Sequence, residues 1–167
     1  MRFNVEHVFR GITRDEYESL YFNEDFNIAL CKAVNLARTL VAMERDEQQI
    51  DRRVMVGPDR EVPKAIQKVL KADRIEYEER IRYKFGSFSG TWETTPNIMA
   101  SKVISKGGFQ FKDNPNGVGR VVTGDIDVKV FGVGGVIEKF ILEDVKKSYD
   151  DAAKFTQEWV DAGKHKA

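Results

Sequence analysis

A carboxylate stands in an apolar file near the middle of the chain. Glu79 is in phase with Ile75, Tyr77, Ile81 and Tyr83, while Glu76, Glu78, Arg80, Arg82 and Lys84 take the alternate positions. Period two puts every second side chain on one face of a strand. Glu79 is therefore expected to point inward, where a carboxylate needs a partner or a raised pKa. Two arginines have matching phase: Arg52 with Ile50, Val54 and Val56, and Arg38 with Leu36 and Leu40. A carboxylate, an arginine and a tyrosine in an apolar space could orient a ligand's polar head or act as acid and base. The plainer alternative is an ion pair at the sheet's rim, or a bulge that turns Glu79 outward.

His7 shares a strand face with Phe3, Val5 and Phe9. It reads either as a polar group inside a cavity or as a partly buried imidazole with a satisfied hydrogen bond. Gly132-x-Gly134-Gly135 follows a strand and opens a helix, as a dinucleotide loop would. Its third glycine is misplaced, however, and about 30 residues remain, too few for the rest of a parallel unit. It reads better as a flexible sheet-to-helix junction. No nucleophile elbow, metal-ligand spacing or kinase-like set is present, and neither a metal nor a cofactor is expected.

The elements that must position these groups alternate early. Residues 2–10 read as a strand. Thr13 and Glu16 form a capping box for a short helix to Phe22, and a second helix starts at Asn23–Asp25. Strands are expected over about 36–46 and 49–57, a short helix over 63–71 with Pro63 at its first position, and strands over about 75–85, 88–95, 101–112 and 118–131. Asn114-Pro115-Asn116-Gly117 is a strong turn. Ile137, Phe140, Ile141, Val145, Tyr149, Ala152, Phe155 and Trp159 then mark one amphipathic helix over about 136–162. Short loops favour antiparallel neighbours.

Composition bounds the function. The 167 residues carry 27 basic and 27 acidic side chains, so the zero net charge disfavours broad nucleic-acid binding. Cys31 alone rules out a disulfide framework and fits a reducing, cytoplasmic setting. No stretch is long and apolar enough for a transmembrane helix, and no signal-peptide pattern opens the chain. One α+β domain over 1–163 is expected, with 164–167 frayed.

A single long helix covers a seven-stranded antiparallel sheet only if the sheet curves around it. The order of elements resembles the helix-grip fold of the START-like (Bet v 1-like, SRPBCC) superfamily. Within it the chain most resembles a bacterial family with only a domain-of-unknown-function label. The resemblance rests on Phe3–Phe9 followed by the helix at 13–22, on Val56-Gly57-Pro58 to Pro63, and on Gly90-Thr91-Trp92. It rests above all on Gly124-Asp125-Ile126-Asp127-Val128-Lys129-Val130, leading through Gly134-Gly135 to Ile137-Glu138, and closes on Phe155–Trp159. It implies an internal cavity that binds an apolar ligand, as in lipid and sterol carriers, aromatase/cyclases and hormone receptors.

The expected function is binding, or transport, of a hydrophobic small molecule or lipid between sheet and helix, with transient membrane contact at most. Strand parity names His7, Phe9, Tyr77, Glu79, Ile81, Trp92, Phe109 and Ile126 as wall residues, and the helical stripe adds Phe140 and Ile141. Residues 58–71 are expected to form a lid. Two other readings stay open: a cyclase or hydratase using Glu79, His7 and a tyrosine, and a protein-interaction module with a filled interior.

Overall fold

A computed structural model describes residues 1–166. The alternating segments become β1 (Arg2–Arg10), β2 (Leu36–Arg45), β3 (Gln49–Pro58), β4 (Tyr77–Lys84), β5 (Ser89–Pro96), β6 (Val103–Asn114) and β7 (Gly117–Val128). They form one antiparallel sheet in the order β1-β7-β6-β5-β4-β3-β2. The helices are α1 (Arg14–Tyr21), α2 (Glu24–Ala33), α3 (Lys64–Leu70) and α4 (Gly134–Asp161). This is the helix-grip architecture, with α4 packed along β1 and β7 and against α2.

Local chemistry explains the boundaries. Thr13 accepts from the Glu16 N–H while the Glu16 carboxylate accepts from the Thr13 N–H, the reciprocal pair that starts α1. Asn23 caps α2 through the Phe26 N–H. Pro63 stands one residue before α3 rather than at its first turn. α4 begins two residues earlier than the apolar stripe predicts, because Gly134 lies against β7: a Cβ there would come within 2.3 Å of the Val128 carbonyl oxygen. Glu138, one turn into α4, accepts the Val128 N–H at 2.9 Å. The junction thus fastens the helix to the end of the sheet, and Gly134 serves the close packing.

β2 carries a bulge. Leu40 pairs with Val54 and Ala42 with Arg53, so Val41 is the extra residue and the inward face changes from even to odd positions. Arg38 precedes the change and faces the interior; Met43 follows it and packs on the core.

The expected frayed tail is instead a 3-10 turn over Lys164–Lys166, with the His165 side chain only 2% exposed and 3.6 Å from the Glu16 carboxylate. Contact with α1 orders it; Ala167 lies outside the described residues.

The core is uneven along the sheet. Tyr17, Tyr21, Phe22, Tyr83, Phe109 and Phe111 form an aromatic block with neighbouring ring centroids 4.7–6.0 Å apart. It fills the end beside α1. Beyond it the interior is open.

Candidate functional site

The opening is a cavity of about 290 Å³ between the concave face of the sheet and α4. Tyr17 and Tyr21 bound it on the side of the aromatic block. Phe26, Leu30, Val54, Val56, Val103, Val128, Ile137 and Val145 are among the residues of its apolar wall. Val62, Leu70 and Ile75 close it beside α3, the segment expected to act as a lid. A surface cleft between the β3–α3 connection and α4 shares Leu36, Pro58 and Arg60 with the cavity. There Arg60 is 2.9 Å from Asp144 and 3.4 Å from Ser148 Oγ, a strap from the connection to α4.

Two polar clusters interrupt the apolar wall. In the first, Arg38 makes a bidentate pair with Glu24 at 2.8 and 2.9 Å. Arg52 lies 3.5 Å from Glu24 and 4.0 Å from Glu79. Desolvation raises the Glu24 carboxyl, but Arg38 and Arg52 outweigh it and hold the group below the usual range. Glu79 goes the other way: burial pushes its carboxyl up, more than Arg52 and Arg38 pull it down. Burial, and then the charge of Glu79, also raise the Tyr77 and Tyr149 hydroxyls.

The second cluster centres on Arg120 of β7, which is 4% exposed. It donates to His7 Nδ1 at 3.1 Å and approaches the Tyr17 hydroxyl at 3.4 Å. A guanidinium only donates, so Nδ1 accepts and the His7 Nε2–H donates to Asp150 at 2.7 Å. The Phe9 and Tyr149 rings lie 5.3 and 5.1 Å from the guanidinium carbon.

Of the ten wall residues expected from sequence, Tyr77, Glu79, Trp92, Phe140 and Ile141 line the cavity. Phe9, Ile81, Phe109 and Ile126 face inward as parity requires, but other core side chains cover them and they do not reach the space. His7 is held by Arg120 and Asp150 and does not line it either. Sequence reasoning misses Arg120, although its phase with Val118, Val122 and Ile126 is the same signal that singles out Glu79. Tyr149 reads in sequence only as part of the helix stripe; Asp144 and Arg60 carry no local signal. Among the described residues no group of His, Cys, Asp or Glu side chains is arranged to hold a metal ion. No described helix is long and apolar enough to cross a membrane.

A family model described as "Protein of unknown function (DUF2505)" matches residues 5–160. The chain belongs to that family. Solved structures share the fold of this DUF2505 chain over nearly its whole length. A Thermus thermophilus protein superposes with a TM-score of 0.68 at 14% identity, covering 98% of this chain and 99% of that one. The Zhui aromatase/cyclase of a Streptomyces species gives 0.65 at 9% identity, covering 96% and 94%. A Mycobacterium smegmatis protein gives 0.61 at 12% identity, covering 93% and 88%. At such identities the likeness is one of fold. No curated protein matches the sequence significantly.

Proposed function

We propose that this DUF2505 chain, as a START-like (Bet v 1-like) protein, binds a compact hydrophobic small molecule in the cavity. The cavity carries the reading: an apolar chamber with a few convergent polar groups is the usual form of a small-molecule site. Its volume of about 290 Å³ is roughly twice the ~150 Å³ that admits a benzene ring. That suits a body of two or so fused rings better than a long-chain lipid. Burial supplies affinity at about 25 cal/mol per Å² of apolar surface, and the arginine clusters set orientation. Cys31, buried and unpaired, supports a cytoplasmic setting.

Native mass spectrometry of the protein purified from cells, followed by organic extraction, tests the reading. A stoichiometric bound molecule of about two to three rings supports it. An apo mass, with no thermal shift across a library of neutral and acidic bicyclic compounds, overturns it.

A second reading is an enzyme of the cyclase type. Glu79 favours it, as a buried carboxyl with a raised pKa beside Tyr77 and Tyr149. The aromatase/cyclase among the fold neighbours agrees with it. Turnover of the extracted molecule by the unmodified protein, but not by Glu79→Gln, would establish it. The interaction-module reading has less support. The interior is open, and the outer sheet face carries ion pairs such as Arg80–Asp51 and Arg53–Glu78.

A further inference from the structure

The charges lining the cavity do not balance. Arg38 is paired with Glu24, Arg52 lies beside Glu79, and Arg60 is paired with Asp144. Arg120 lines the same cavity, is 4% exposed, and has no carboxylate partner among the described residues. Asp150 lies one imidazole away, beyond His7, and is itself 72% exposed. Tyr17, Tyr149 and Phe9 offer only a hydroxyl and ring faces. A buried guanidinium without a counter-charge is costly unless something pairs with it.

The guanidinium also has donors to spare. It carries five N–H groups. His7 takes one at 3.1 Å and Tyr17 one at 3.4 Å. The Nε–H is buried and unpartnered. Nε and an adjacent Nη together form the edge that takes a carboxylate with two parallel hydrogen bonds. His7, held in turn by Asp150, fixes the orientation of the guanidinium.

We infer that the ligand is an acid: a compact hydrophobic body bearing one carboxylate, seated on Arg120 with its apolar part toward Phe140, Ile141 and Trp92. The inference rests on the cavity-binding reading and adds the ligand's charge and orientation. Arg52 of the first cluster also has unpartnered nitrogens, Nε and Nη1, but the Glu24 and Glu79 carboxylates lie 3.5 and 4.0 Å from it; Arg120 has no carboxylate beside it, so it is the place where an anion completes the balance.

The test compares 2-naphthoate with its neutral isostere 2-naphthamide by isothermal titration calorimetry. The unmodified protein should bind the acid about tenfold more tightly or better, the size of a charge-assisted pair. Arg120→Met should weaken the acid far more than the amide, so that the acid's preference over the amide falls to about one. Arg120→Lys should keep part of the preference, and it replaces the Met variant if that fails to fold. Equal binding of acid and amide overturns the inference and leaves the cavity reading standing. So does an acid preference that survives Arg120→Met, or one that disappears in Arg52→Met instead. Failure of both compounds to bind overturns the two together.

Discussion

The indole of Trp92 on β5 lies over Gly124 of β7, two strands away, where a Cβ would come within 2.2 Å of Cζ2. Its Nε1–H donates to the Thr123 carbonyl at 3.1 Å, and its ring sits 5.8 Å from that of Phe3. Gly107, between the two strands, is equally bare: a Cβ there would be 1.9 Å from the Thr123 oxygen. The two glycines make a trough in the sheet, and the cavity wall at this point is a tryptophan laid in it.

Gly124→Ala should therefore cost about 1–3 kcal/mol, the range for forcing atoms into a packed site. It should also shift tryptophan fluorescence as the indole moves. Gly135→Ala is the control, since a Cβ there meets nothing within 4 Å. Urea unfolding of both variants checks the contrast.

Filling the chamber is the direct test of its use. Ile141 lines it from α4 and is only partly buried. Ile141→Trp should abolish binding of a neutral bicyclic probe while thermal unfolding stays within a few degrees of the parent or rises. Binding that persists would place the ligand elsewhere.

The strap of Arg60 to Asp144 and Ser148 lines the cavity and should control exchange. Arg60 and Asp144 are 39% and 22% exposed, so Arg60→Ala should change stability by less than about 1 kcal/mol. Association and dissociation rates should both rise several-fold, with Kd nearly unchanged. Stopped-flow tryptophan quenching reads this.

Glu24 gives a stability change with a defined pH sign. Arg38 and Arg52 hold its carboxyl below the 4.5 of the unfolded chain. The native state then binds fewer protons, and its stabilisation is fully present above that value and fades as pH falls through the lower native one. Glu24→Gln should cost about 2 kcal/mol at pH 7, with the gap from the parent closing as pH falls from 4.5 through the lower native value. Unfolding midpoints across pH 3–8 check it. A gap that widens on acidification would refute the assignment.

Sequence carries the face of each side chain better than its depth. Parity turns Phe9, Ile81, Phe109 and Ile126 inward correctly, but where along a strand the interior opens depends on which rings arrive from α1 and α2. Glu79 is legible because its neighbours alternate so cleanly; its choice of Arg52 is not, because Glu24, distant in sequence, claims Arg38. His7 has the expected phase and an unexpected neighbour. The β1–β7 register sets it opposite Arg120, and no local pattern encodes that pairing. The bulge at Val41 is equally silent, since no glycine or turn residue marks it.

That bulge has a consequence for the sheet's outer edge. β2 closes one side of an open sheet and exposes Leu40 and Val41, each 45% accessible. A strand with one unpaired edge and aliphatic side chains is a template on which further chains can stack. After five regular pairs, from Leu36 to Leu40, the extra residue breaks the ladder and twists the strand away from the flat geometry such stacking needs. One inserted valine thus limits how far a foreign strand can zip onto this edge, and gives the chain a built-in defence against aggregation.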